Sequence, residues 1–195
     1  LLIMKLIVGL GNPGKVYIDS RHNIGFSVLN ALSKRCGITL KRDFNSRALC
    51  GKGNIAGVEA VLAEPLTFMN LSGAAVKALL KKYKVSIDDL LVICDDLDLE
   101  PGRVKIREFG SSGGHRGLAS IIDCLGGNNF NRLRIGIGRP GEGIDPAEYV
   151  LDPFTKLEKS AVNSVIKKAC DCVEFWCSGG IVETMNMFNK KESLA

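Results

Sequence analysis

Long apolar runs are missing from this 195-residue sequence; none approaches the ~20 residues needed to cross a bilayer. No basic segment, apolar core and cleavage site open it either, so neither a membrane partner nor a secretory route is expected. Cysteine pairing signals are absent too. The seven cysteines (Cys36, Cys50, Cys94, Cys124, Cys170, Cys172 and Cys177) are an odd number without a CxxC pair. An oxidised chain would leave a thiol over, so buried, reduced thiols and a cytoplasmic protein are expected. With two histidines and no ligand spacing, a zinc site is not expected. Aromatic residues make up only 6%, which argues against a broad base-stacking platform for RNA. No GxSxG elbow occurs, and Ser111-Ser112 sit in a glycine loop, so nucleophilic serine chemistry finds no support.

What is present describes an ordinary folded protein, 46% hydrophobic and 24% charged, long enough to bury a core without staples. The pattern predicts a single α/β domain over residues 1–195, a twisted mixed β-sheet flanked by helices on its faces. Leu1-Leu2-Ile3 ahead of Met4 reads as an upstream or alternative start. Strands are predicted at 5–9, 47–55, 58–63, 90–94, 103–107 and 132–138. Helices are predicted at 23–36 with Asn23 as cap, at 71–83, and through Leu118, Ile121, Ile122 and Leu125. Two more follow, at 156–177 behind a Thr155-x-x-Glu158 capping box and at 180–188.

The stretch Gly9-x-Gly11-Asn12-Pro13-Gly14 follows the first strand and leads to His22. It matches a dinucleotide fingerprint in form, yet the helix starts only after His22, Pro13 interrupts the turn, and no acid follows a second strand at the expected offset. A tight turn with a satisfied histidine is the bland alternative. Asp95 ends the most strand-like run, where α/β sheets bind ligands, and a carboxylate there can orient an imidazole and stabilise its protonated form. Asn12, Asn70 and Arg116 fall on other strand-end or helix-start loops. Asp95-Asp96-x-Asp98 also permits a divalent metal site, although neighbouring strand residues point in opposite directions. The residues therefore read as a histidine base activating water against an ester-like bond, with asparagine amides as donors. The net charge is +5, and Arg103/Lys105/Arg107 and Arg132/Arg134/Arg139 form two basic runs, either solvent-facing charge or a phosphate track.

Val8-Gly9-Leu10-Gly11-Asn12-Pro13-Gly14, Tyr17 with Arg21-His22-Asn23, Thr67-Phe68-Met69-Asn70-Leu71-Ser72-Gly73, Asp95-Asp96-Leu97-Asp98, Gly113-Gly114-His115 and Arg132 to Gly138 together resemble the bacterial-type peptidyl-tRNA hydrolase family. The resemblance implies hydrolysis of the ester joining a peptide to tRNA, without metal or organic cofactor; nothing in the sequence demands a protein partner, and a monomer is the default expectation. It implies His22 as the base, Asp95 as its supporting carboxylate, and Asn12 as the residue that separates blocked from free aminoacyl-tRNA. It also implies Tyr17, Phe68, Met69 and Asn70 as substrate contacts, and Arg107 and Arg134 as contacts to tRNA phosphate. One position departs: Arg116 stands where the family pattern has an asparagine that contacts substrate and helps orient water. Arginine keeps donors and loses the acceptor, and could bind phosphate or pair with Asp95. Activity is expected to survive with altered affinity or rate. A non-catalytic RNA-binding relative and a nucleotide-cofactor enzyme remain the alternatives.

Overall fold

Strands with apolar residues on both faces need cover on both sides, and this chain supplies it with helices. The computed structural model describes residues 4–190; the expected alternative start at Leu1-Leu2-Ile3 lies outside them. In chain order the elements are β1 (Lys5–Gly9), α1 (Ile24–Arg35), β2 (Lys41–Asp43), β3 (Ala48–Ile55), β4 (Val58–Pro65) and α2 (Ser72–Tyr83). They continue with β5 (Leu90–Asp96), β6 (Val104–Arg107), α3 (Arg116–Leu125), β7 (Asn131–Gly136), α4 (Pro146–Tyr149) and α5 (Lys159–Phe188). The seven strands make one mixed sheet, ordered β2-β3-β4-β1-β5-β7-β6. Pairing is parallel at β4-β1-β5-β7 and antiparallel where β2, β3 and β6 join.

The period-two alternation sorts the core. Ile7, Leu62, Leu91, Ile93, Leu133 and Ile135 face α1 and α5, where Val28, Leu29, Leu32 and Trp176 meet them. Leu6, Val8, Val61, Val92 and Leu90 face α2 and α3, against Val76, Leu79, Leu118 and Ile121. The close approach of α1 to the sheet depends on two glycines. A Cβ on Gly9 would stand 2.4 Å from the Gly25 carbonyl oxygen, and one on Gly25 would meet Leu10 backbone at 2.5 Å.

Several expectations are corrected. Asn23 precedes α1 without capping it, because its amide is engaged with the backbone of Asn12. The helix after Asn70 begins as a 3-10 turn, Met69–Leu71, and becomes α-helical at Ser72. The strand expected at 90–94 runs two residues further and includes Asp95 and Asp96. The two C-terminal helices are one element, α5, kinked at Gly180 (φ 75°). The capping box is made, with Thr155 N donating to Glu158 Oε2 (2.7 Å) and Glu158 N to Thr155 Oγ1 (3.3 Å), although α5 opens after it. β2 carries no apolar pattern, and α4 hides in a Pro/Gly-rich loop; neither was predicted. Beyond the kink, Asn189 donates to Ile106 O and accepts from Ile106 N, closing the outer edge of β6.

β1 sits between β4 and β5, so the chain leaves it in opposite directions across the sheet and opens a crevice at the carboxyl ends of these strands. Near that end, on β4, lies one buried acid unrelated to the crevice. Glu64 is 4% exposed and accepts from Asn30 Nδ2. Burial pushes its carboxyl up to about 7. The folded state thus binds the extra proton, and stability falls as pH rises from about 4.5 to about 7. Glu64→Gln is expected to unfold at higher denaturant than the parent at pH 8, by on the order of 1–3 kcal/mol, with the gap closing at pH 4.5. Denaturant titrations of both proteins at the two pH values check this; a gap that persists at pH 4.5 would refute it.

Candidate active site

Two loops at the carboxyl edge of the sheet converge on Asp95. The carboxylate ends β5, faces inward and is 4% exposed. His22, on a 3-10 turn between β1 and α1, places Nδ1 2.7 Å from Asp95 Oδ1. His115, delivered by the consecutive left-handed glycines Gly113 (φ 57°) and Gly114 (φ 82°), places Nε2 3.1 Å from the same oxygen. Burial by itself would raise the pKa of Asp95, but His115 and His22 outweigh it and hold the carboxyl well below the usual carboxylate range.

The hydrogen-bond pattern fixes both tautomers. His115 Nδ1 accepts from the backbone N–H groups of Gly117 and Leu118, capping α3, so its proton is on Nε2 and is donated to Asp95. An ionised Asp95 only accepts, so Nδ1 of His22 bears a proton, and in the neutral ring the lone pair is on Nε2. Ligand atoms of His22, Asp95 and His115 lie within 4.8 Å of one another, the spacing of a metal site. With Nδ1 of His115 committed to two backbone donors, its Nε2 bears hydrogen and is not a ligand. This donor set fits a hydrogen-bonded chain better than a cation.

The amides are set with equal economy. Asn23 Oδ1 accepts from Asn12 N (2.8 Å) and Asn23 Nδ2 donates to Asn12 O (3.0 Å), which pins the glycine turn. Asn12 Oδ1 accepts from Met69 N (2.9 Å), leaving Nδ2 as its free donor on the cavity wall. Asn12, Tyr17, His22, Phe68, Met69, Asn70, Asp95, Arg107, Arg116 and Arg134 all line one cavity of about 980 Å³. Met69 is buried beneath it, while Asn70 and Phe68 are exposed at its rim.

The acidic cluster is dispersed as strand alternation requires. Asp95 takes the histidines, Asp96 pairs with Arg134, and Asp98 pairs with Arg139. The second basic run is therefore no free phosphate track. Arg132 in particular is only 2% exposed and donates to the carbonyls of Gly110, Ser111 and Asn128 over the Phe130 ring. Arg116 makes no pair with Asp95; it is exposed on the cavity rim.

Two contributors escaped sequence reasoning. His115, one of only two histidines, is signalled by its place after two glycines and before a helix. Arg21 is not signalled. It is buried 4.2 Å from the Tyr149 ring, donates to Asp152 O and Pro153 O, and forks onto both oxygens of Glu158, 137 residues away. Beside it, His22 N donates to Val150 O (2.8 Å), so the histidine's backbone is held by the segment before α5.

A carboxylate-bound imidazole, amide donors beside it and a cavity at the switch point of a mixed α/β sheet make an arrangement that can carry hydrolysis of the acid–base type. The chain belongs to the peptidyl-tRNA hydrolase family, whose model matches residues 6–195. It is 48% identical over 187 residues to a peptidyl-tRNA hydrolase of Geobacillus kaustophilus, covering 96% of this chain and all of that one. Its identity to a peptidyl-tRNA hydrolase of Shouchella clausii is 44% over 186 residues, covering 95% and 100%. The crystal structure of peptidyl-tRNA hydrolase from Acinetobacter baumannii superposes with a TM-score of 0.91 at 39% identity, covering 97% of this chain and 96% of that one.

The tautomer assignment is open to direct measurement. In ¹⁵N–¹H correlation spectra of the neutral imidazoles, His22 is expected as the Nδ1–H form and His115 as the Nε2–H form. Finding both rings in one tautomer would contradict the pattern.

Proposed function

We propose that this chain hydrolyses the ester between peptide and tRNA in peptidyl-tRNA, with His22 as the general base. The observation that carries this reading is the 2.7 Å contact of His22 Nδ1 with buried Asp95, which leaves Nε2 bare on a cavity wall. His22 Nε2 takes a proton from water as the oxygen attacks the ester carbonyl, and Asp95 stabilises the imidazolium that forms. The tetrahedral intermediate then collapses. The ribose hydroxyl leaves with the proton returned by His22, and the peptide departs as a carboxylic acid. The free Nδ2 of Asn12 and the amide of Asn70 are donors for the developing oxyanion and for the peptide. Tyr17, Phe68 and Met69 supply the apolar wall against which the peptide lies.

The reading extends to the rest of the substrate. Lys105 is pushed down by burial and by the nearby charges of Arg107, Arg134 and Arg103. Cations crowded in this way are relieved by a polyanion, which supports the Arg107–Arg134 side of the cavity as the approach for tRNA. The seven cysteines are all unbridged and mostly buried, which supports a reducing cytoplasm. No helix among the described residues is long and apolar enough to cross a membrane. A non-catalytic RNA binder is not favoured, because Arg116 leaves the His22–Asp95 contact intact.

Hydrolysis of N-acetyl-aminoacyl-tRNA in EDTA tests the proposal. His22→Ala is expected to lower kcat by at least about 10²–10⁴-fold, and Asp95→Asn, which cannot hold the same tautomer, by a similar order. Circular dichroism should show both variants folded. A His22→Ala protein within tenfold of the parent would defeat the proposed mechanism.

A further inference from the structure

Five arginines line the cavity, and the structure divides them sharply. Arg132 is buried and spent on three backbone carbonyls. Arg134 is paired with Asp96, and Arg139 with Asp98. Arg107 and Arg116 remain, both exposed, and among the described residues neither has a carboxylate partner. Glu108 and Asp145 also line the cavity, yet neither is in ion-pair contact with either guanidinium; Asp145 is occupied in capping α4. The two free cations flank the loop Glu108–His115, whose start is fixed by Arg132 and whose end is fixed by His115.

Arg116 is also the closer of the two to the chemistry along the chain. It follows His115, whose Nε2 touches Asp95, so its Cα lies one peptide unit, about 3.8 Å, from that of a residue in the reacting cluster. A long, planar, permanently charged side chain rooted there reaches past the ester to the next part of the substrate. The ester sits on a terminal ribose, and the nearest anion is the phosphodiester on the other side of that same sugar.

We propose that Arg116 grips the phosphodiester of the substrate's terminal nucleotide. The assignment rests on the hydrolase reading and specifies which part of the tRNA that site holds. It makes Arg116 a determinant of binding at the 3′ end and leaves activation of water to His22 and Asp95.

Two substrates separate these roles: an N-acetyl-aminoacyl ester of adenosine, which carries no phosphate, and the same ester on a CCA trinucleotide. In Arg116→Ala the ratio of kcat/KM for the trinucleotide over the adenosine ester is expected to fall about tenfold or more at low salt. The slope of log kcat/KM against log salt for the trinucleotide should become shallower by about one. Arg116→Lys should recover part of the ratio. A ratio equal to the parent's, or one that shifts with no change in salt slope, would overturn the assignment. So would an effect confined to full-length tRNA, which would move the contact to the tRNA body. Turnover of the adenosine ester by the unaltered protein reports on the His22 chemistry alone. Both minimal substrates inert while N-acetyl-aminoacyl-tRNA is cleaved would overturn the 3′-end assignment alone, and all three inert would bring down the hydrolase reading itself.

Discussion

A carboxylate buried to 4% exposure is costly unless its charge is met by donors, and the site is built around meeting that of Asp95. Both of the chain's histidines donate to one oxygen, from loops that follow β1 and β6 and lie 93 positions apart in sequence (115 − 22). Sharing that oxygen ties the two rings to each other, with centroids 4.8 Å apart and planes at 42°. The arrangement is anchored on every side. Gly25 lets α1 touch the sheet and so sets where the His22 turn ends, the Arg21–Glu158 fork and Val150 hold its backbone, and Arg132 and the α3 cap hold the loop of His115. Loosening any of these would shift an imidazole relative to a buried charge that depends on it.

The same logic explains where local rules are broken. Asn23 stands at the start of α1, where its type normally caps, and α1 goes without a side-chain cap. Its amide instead clamps both backbone groups of Asn12, which costs the helix a cap and gives the turn a fixed shape. A similar exchange occurs at α3, where an imidazole acts as cap and is oriented by doing so. Departures of this kind fall at functional sites because the geometry required there conflicts with what the isolated element would choose.

Most of the fold was legible because period-two and period-three-to-four apolar patterns are strong in this chain. β1, β4, β5 and the helix cores at Val28, Leu32, Val76 and Leu79 needed only their own residues to be read. β2 was not legible, since a three-residue edge strand of Lys41, Arg42 and Asp43 has no buried face to leave a pattern. The His22–Asp95 pairing was legible from strand-end placement, while the part of His115 required knowing where Gly113 and Gly114 turn the chain. The surroundings of the basic runs were not legible for a different reason. Alternation says that Arg132 and Arg134 share a face, but not that the face of Arg132 is covered by the glycine loop or that Asp96 waits beside Arg134. Sequence counts charges; tertiary contacts decide which of them stay available.

That distinction also bears on how a blocked substrate would be told from a free one. The Asn12 side chain offers a carbonyl oxygen and an NH2 group, and Met69 N already donates to the oxygen and turns it from the cavity. What faces the cavity is an N–H, which suits the carbonyl oxygen of an acylated amine and has nothing to give an ammonium group, which can only donate. The nearby unpaired Arg116 adds positive charge, unfavourable to a second cation and favourable to phosphate. On the proposed reading, discrimination then needs no steric gate. At Asn12 a free aminoacyl ester would bring its charged amine against a donor, losing solvation that this amide does not replace, whereas the peptide's first amide carbonyl would replace the water it displaces.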